Sequence, residues 1–178
     1  MQIILSDFMT LDGVVQAPGG PEEDTEGGFA HGGWSMKYFD PDVMGSVIDE
    51  VMERTEALLF GRRTWQVMAA AWPERAGDPF ADRMNAIPKY VASRTLGTVT
   101  WTNSTLLTGD VPEAVRELKR GGGDSDDDVE IQVHGSPGLL QTLLAHDLVD
   151  EFLVFTFPVL IGSGTRLFGA ARHPAGSG

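Results

Sequence analysis

Two short segments carry the residue types that phosphate binding demands. Leu59-Phe60-Gly61-Arg62-Arg63-Thr64 runs from an apolar stretch into a helical one, and so does Gln132-Val133-His134-Gly135-Ser136-Pro137-Gly138. In each, a glycine allows a tight turn and leaves the first N–H groups of the next helix uncovered, where they attract anions. Arg62 or Arg63 adds a cation at the first junction, and Thr64 a hydroxyl. Gly and Ser are common in ordinary strand-to-helix turns, so either junction alone carries little weight. At the same edge of one parallel sheet, the pair would hold a dinucleotide across the strand carboxyl ends.

Other chemistries lack their residues. Neither the Gly-x-x-x-x-Gly-Lys-Ser/Thr phosphate loop nor the Gly-x-Ser-x-Gly elbow occurs. Gly162-Ser163-Gly164 starts like a dinucleotide fingerprint, but Leu167 stands where a third glycine belongs, so it reads as a turn. His31, His134, His146 and His173 lack metal-ligand spacing, and cysteine is absent, so no metal site and no disulfide is expected. His134, ending an apolar strand, reads as a packed and hydrogen-bonded side chain. Trp34, Trp65, Trp72 and Trp101 read as core or pocket wall.

The elements that must position the junctions alternate between strand and helix. Residues 3–8 read as a buried strand, followed by the Leu11-Asp12-Gly13 turn. Residues 17–33, rich in Gly, Pro and acid, lack periodicity and are expected to form a mobile lid. Asp40 and Pro41 open a helix with Val43, Met44, Val47, Ile48, Val51 and Met52 in one stripe. A strand at 57–60 and a helix ending at Trp72-Pro73 follow. Residues 73–85 read as irregular, 88–92 as a strand and 99–101 as a shorter one. Asp110, Pro112 and Glu113 open a further helix that Gly121-Gly122-Gly123 stops. Residues 124–128 read as a solvated acidic connector. A strand at 129–133, a helix carrying Leu139, Leu140, Leu143 and Leu144, and a long strand at 149–160 complete the chain. This order predicts an α/β fold with a mostly parallel sheet.

The 178 residues fit one domain, and 42% hydrophobic against 22% charged residues is the balance of a globular protein. Thirteen basic against 26 acidic residues give a net charge of −13, which disfavours nucleic acid and anionic membranes as partners. Met1-Gln2-Ile3-Ile4-Leu5 has no basic lead, and the apolar run at 152–161 is far shorter than the ~20 residues a membrane helix needs. A cytoplasmic protein is therefore expected.

Six segments, in order, resemble those of the dihydrofolate-reductase fold. They are Leu11-Asp12-Gly13-Val14-Val15, Gly61-Arg62-Arg63-Thr64-Trp65, Lys89-Tyr90-Val91-Ala92-Ser93-Arg94-Thr95-Leu96, Val133-His134-Gly135-Ser136, Leu148-Val149-Asp150-Glu151, and Pro158-Val159-Leu160-Ile161-Gly162-Ser163-Gly164 with Leu167-Phe168. Within that fold, the chain is most similar to the family containing the reductase domain of bifunctional riboflavin-biosynthesis deaminase-reductases. The resemblance implies a three-layer α/β/α sandwich over residues 1–169 and an NADPH cofactor. It also implies roles. Gly61, Arg62 and Thr64 would meet the cofactor phosphates, and Ser93 and Arg94 the 2′-phosphate. Gly135, Ser136 and Gly138 would hold the pyrophosphate, and Asp12, Gly13 and Val15 would line the nicotinamide end.

Two departures from the family pattern matter. Folate reductases carry a carboxylate on the first long helix, and the matching position falls near Gly45 and Ser46. Asp42 and Asp49, a turn to either side, are the catalytic candidates. The family also ends on two further strands, for which residues 169–178 have no pattern. The fold is thus expected to lack its last strands, with 170–178 a disordered tail. The exposed edge this would leave at 152–161 points to a homodimer. The reading is an NADPH-dependent reductase of a small heterocyclic (pterin- or pyrimidine-like) or carbonyl substrate by hydride transfer. The alternatives are a non-catalytic nucleotide- or pterin-binding member of the fold, and a structural dimer without a ligand.

Overall fold

The computed structural model describes residues 1–121 and 129–169. The acidic connector at 124–128 and the tail at 170–178 lie outside the described residues. The strands are β1 (Gln2–Thr10), β2 (Thr55–Gly61), β3 (Lys89–Ala92), β4 (Ser104–Leu107), β5 (Glu130–His134) and β6 (Glu151–Phe157). The α-helices are α1 (Pro41–Arg54), α2 (Arg62–Ala71), α3 (Pro79–Ala86), α4 (Val111–Arg120) and α5 (Pro137–Ala145). The strands form one sheet in the order β4-β3-β2-β5-β1-β6, and every pairing is parallel.

Period-two alternation divides the side chains into two cores. In β2, Ala57 and Leu59 join Ile3, Leu5, Ile131 and Val133 against Val115 of α4 and Leu140 and Leu143 of α5. Leu58 and Phe60 point the other way, against Met52 of α1, Trp65 of α2 and Met84 of α3. The result is a sheet with helices on both faces, and the central strand β2 carries an unbroken apolar run, Ala57 to Phe60, because both its faces are covered.

Three helices start on an aspartate cap with proline at one of the first two helical positions. Asp40 accepts N–H bonds from Asp42 and Val43, Asp78 from Ala81, and Asp110 from Glu113. Only the carboxyl end of the α1 stripe is fully packed: Val51 and Met52 are buried, while Val43 is 65% exposed. One side of α1, from Gly45 to Met52, lines a cavity.

Three sequence expectations are corrected. Residues 73–85 are not wholly irregular, because Asp78-Pro79 opens α3 as Asp40-Pro41 opens α1. The strand expected at 99–101 lies at Ser104–Leu107. Trp101 instead leaves the sheet, stacks on Phe60 at 6.1 Å and donates to Asn85 Oδ1 at 2.7 Å. Asn103 (φ 58°) then turns the chain into β4. Finally, the last strand is shorter than the expected 149–160, running from Glu151 to Phe157. β6 is the sheet edge, and only Phe157 of its residues is buried. Among the described residues, no strand lies outside it.

Candidate functional site

The parallel sheet brings the two glycine junctions together at its carboxyl edge, and they are bonded to each other. Gly61 N–H donates to Ser136 Oγ at 2.9 Å, and Ser136 N–H donates to Thr64 Oγ1 at 3.1 Å. Ser136 Oγ–H in turn reaches His134 O at 3.1 Å. These three bonds hold Ser136 in a left-handed conformation (φ 59°, ψ 50°), directly after Gly135 at φ 53°. A non-glycine residue there costs about 1–2 kcal/mol, strain that surrounding contacts must offset.

The locking bonds have a second effect. Ser136 precedes α5 but turns its hydroxyl away, so α5 has no side-chain cap; nor has α2, which follows Gly61. The other three α-helices are all capped by aspartate. The two uncapped amino termini therefore lie side by side with N–H groups free to meet an anion.

Beside them lies a cavity of about 830 Å³. Gly135, Ser136, Pro137, Arg63 and Thr64 form one wall, and Ser6, Asp7 and Phe8 of β1 another. Ile48, Asp49 and Met52 of α1 and Leu153 and Phe155 of β6 also line it. The volume suits a small organic ligand bound largely out of water. The loop at 17–33 closes one side through Pro18, Gly19, Glu23 and Asp24. It is tied down by Gln16 Nε2 to the Asp24 and Glu26 carbonyls, by Gly33 N–H to Ala17 O, and by a two-point Arg63–Glu26 ion pair.

Two polar side chains of the cavity have buried atoms without partners among the described residues, Asp7 Oδ2 and His134 Nε2. Asp7 Oδ1 accepts the N–H of Phe8 at 2.9 Å. Burial pushes the Asp7 carboxyl up to about 8; the Phe8 N–H opposes this and Glu23 adds to it. Burial likewise pushes the His134 imidazole down to about 4. Burial raises Glu23 as well, against the pull of the Gly19 and Gly20 N–H groups. At neutral pH both Asp7 and His134 are therefore uncharged. His134 is packed as the sequence suggested, with its ring 6.4 Å from Phe60 and a Ser6 backbone hydrogen bond opposing the downward shift, while its Nε2 has no partner among the described residues.

The other candidates are placed differently. Thr64, Gly135 and Ser136 line the cavity, as do Val15 and Asp49. Gly61 touches its rim through Ser136, while Gly138 stands in open space within α5. Arg62 follows Gly61, and Ser93 and Arg94 follow Ala92, the β3 partner of Gly61, so all three share the same sheet edge. None of them lines the cavity. Ser93 Oγ accepts the Thr95 and Leu96 N–H groups, and among the described residues Arg62 and Arg94 form no ion pair.

Asp12 and Gly13 act at a distance. The Asp12 carboxylate accepts from Thr10 Oγ1 at 2.6 Å, Gly162 N at 2.7 Å and Ile161 N at 3.3 Å. These bonds, the Thr10 hydroxyl first, hold it down to about 2. Gly13 (φ 84°) offers its carbonyl to Leu167 N–H at 2.9 Å. The pair thus ties the turn after β1 to residues 161–167 and so sets Val15 on the cavity wall. Asp42 lies at the exposed start of α1 and does not line the cavity. Gly45 does line it, so the position matching the folate-reductase carboxylate presents no side chain. Sequence reasoning missed Asp7. Its signal was an acid inside an otherwise apolar strand, where an unpaired charge is costly.

Comparison with known proteins agrees with this architecture. Residues 1–175 match the model of the RibD C-terminal domain family. An uncharacterized protein of Bacillus subtilis (strain 168), YyaP, is 27% identical over 172 residues, covering 94% of this chain and 80% of that protein. A solved structure from Shewanella sp. PV-4, of a protein assigned to riboflavin biosynthesis, superposes with a TM-score of 0.69 at 24% identity. It covers 97% of this chain and 86% of that one. That likeness shows the fold, which is dihydrofolate-reductase-like.

Proposed function

Because the chain belongs to the RibD C-terminal domain family, a reductase-type domain, we propose that it is an NADPH-dependent reductase. Its substrate on this reading is a small heterocycle, pterin- or pyrimidine-like, or a carbonyl compound. The observation that carries the proposal is the pair of uncapped helix amino termini, locked together beside the cavity by Gly61, Thr64 and Ser136. Such a pair suits a pyrophosphate, and the cavity gives the attached ring and a substrate room to meet. NADPH supplies a hydride when bound. The chain's part is to bind, orient and exclude water. Gly61, Thr64, Gly135 and Ser136 hold the phosphates, with Gly138 in the first turn of α5. Arg62, Ser93 and Arg94 receive the 2′-phosphate at the β2 and β3 edge, in a chain whose net charge of −13 otherwise repels it. Val15 abuts the nicotinamide end, and Asp12 and Gly13 keep it there.

Fluorescence titration with NADPH and NADH tests this, followed by NADPH oxidation with pterin, pyrimidine and carbonyl panels. Arg62→Ala is expected to weaken NADPH about tenfold, the loss of one charged hydrogen bond, and to leave NADH nearly unaffected. Equal loss for both nucleotides would remove Arg62 from the 2′-phosphate. Tight NADPH binding without turnover on any substrate class would favour the non-catalytic alternative.

The same reading includes a homodimer through β6. Phe152 and Phe168, 39% and 51% exposed, pack together at 5.5 Å on this edge, and Leu160 is 74% exposed. An apolar edge strand with open backbone groups favours pairing with a second copy. Light scattering at low micromolar concentration should give a dimer, and Phe152→Asp should shift it toward monomer. A wild-type monomer that stays in solution would overturn the assignment.

A further inference from the structure

A buried polar atom without a partner normally marks a ligand, a water or a strained site. Two residues of the cavity lining carry such atoms, Asp7 and His134, on opposite faces of the sheet. Ser6 pairs with His134 across β1 and β5, and Asp7 is the next residue. Asp7 is 8% exposed, and its Oδ2 meets no donor or acceptor among the described residues. It interrupts the β1 row of Ile3, Leu5 and Met9 near the carboxyl edge of the sheet.

The charges around it do not fix an anion there. Glu23 and Asp24 face the cavity from the loop and Asp49 from α1, all acidic. Arg63 is held by Glu26, and Arg75 lies over the Trp72 ring at 4.8 Å. His134 on β5 is neutral, and the β6 neighbour Val154 is apolar. Buried, with Glu23 as its acidic neighbour and no free cation against it, the Asp7 carboxyl is most stable carrying its proton, in line with its raised pKa.

We propose that Asp7 is the substrate's hydrogen-bond and proton donor, presenting Oδ2–H to a ring nitrogen or carbonyl oxygen of an uncharged heterocycle. The surrounding acids select against anionic substrates at this end of the cavity. When a C=N or C=O bond of that ligand accepts a hydride at carbon, its nitrogen or oxygen takes the Oδ2 proton through the displaced π pair. Asp7 is left as a carboxylate, and a water proton restores it. This role differs from that of an acid on α1, where Gly45 faces the cavity, and it rests on the reductase reading.

The test uses the full chain, Asp7→Asn and, as an uncharged heterocyclic probe without an acidic N–H, 1,3-dimethyllumazine. Carbon-13 NMR should show one carboxyl resonance, absent from Asp7→Asn, that titrates near pH 8 and moves when the probe is added. Probe affinity should fall about tenfold or more between pH 6 and pH 9.5 in the wild type. It should be flat with pH in Asp7→Asn, whose amide donates but does not titrate. A carboxyl titrating in the ordinary range near 4, the same pH dependence in both proteins, or no probe binding would each overturn the proposal. NADPH titration of the same samples reports separately. Failure of NADPH to bind, with the Asp7 results intact, would sink the reductase reading and leave a heterocycle-binding site with Asp7 as its donor.

Discussion

Gly135→Val is expected to weaken NADPH binding about 100-fold or more while leaving a folded protein. Gly135 sits at φ 53°, where a β-branched side chain costs at least the ~1–2 kcal/mol of an ordinary L-residue. Its Cβ would stand 3.3 Å from Thr64 Oγ1 and 3.4 Å from Thr64 Cγ2, so the valine methyls would push Thr64 away. Thr64 Oγ1 is the acceptor that holds Ser136 N–H, and Ser136 Oγ holds Gly61 N–H. One substitution therefore separates both junctions and misaims the N–H groups offered to the phosphates. Charged hydrogen bonds are worth roughly 1.5–3 kcal/mol each, and each 1.4 kcal/mol is about tenfold, so losing one bond plus the backbone strain reaches about 100-fold. Gly135→Ala, which adds the Cβ without the methyls, should fall between the variant and the wild type. Circular dichroism would establish that the variant folds. A folded Gly135→Val with near wild-type affinity would show that the phosphates do not lie on this turn.

The junctions were legible in the sequence because their chemistry is local. A glycine between an apolar strand and a helix start constrains the backbone whatever surrounds it, and parallel pairing then had to bring the two together. The helix beginning at Asp40-Pro41 was legible for the same reason. The one beginning at Asp78-Pro79 carried the same signal, but Pro73 and Gly77 nearby made the segment look broken. Tertiary contacts hid the rest. Val99-Thr100-Trp101 has strand composition, yet burying the Trp101 ring on Phe60 stabilises more than extending the ladder would. The run after Phe152 is apolar enough for a central strand, but the want of strand pattern after it pointed to an edge, and the sheet order puts β6 there. Asp7 was the costliest omission. Among Ile3, Ile4, Leu5 and Phe8 it read as one polar interruption of a strand. Its meaning depends on Glu23, His134 and an acid-lined cavity assembled from distant parts of the chain. The family-derived acids, Asp42 and Asp49, were sought on α1 by analogy, while the buried acid that lines the cavity, Asp7, is on β1.

Lys89→Ala is expected to destabilise the protein by about 3 kcal/mol or more, lowering the melting temperature by roughly 6–12 °C. Lys89 opens β3 and is fully buried, an exceptional state for a lysine. Its Nζ donates to Asn85 O at 3.0 Å and Ile87 O at 2.7 Å, and stands 4.6 Å from the Trp101 ring centre. The two carbonyls belong to the end of α3, where helix carbonyls lack intrahelical partners and a cation is favoured. Asn103 Nδ2 serves the neighbouring Ala86 carbonyl, and Asn85 Oδ1 receives the Trp101 indole. Lys89 thus sits at the node joining α3, β3 and the Trp101 loop. Burial lowers its pKa to about 8 from 10.5. The folded state holds the proton less tightly than the unfolded one, so this group's contribution to stability rises as pH climbs from about 8 to 10.5. Alanine removes the donor, leaves two buried carbonyls unserved and opens a void under Trp101. Lys89→Met fills most of that void but serves neither carbonyl, so it should cost less, about 1–2 kcal/mol, and should not share the alkaline rise. Urea unfolding of both variants between pH 7 and pH 10 separates the packing and hydrogen-bonding parts. If Lys89→Ala unfolds within about 0.5 kcal/mol of the wild type, as an ordinary surface change would, the node does not hold α3 to the sheet.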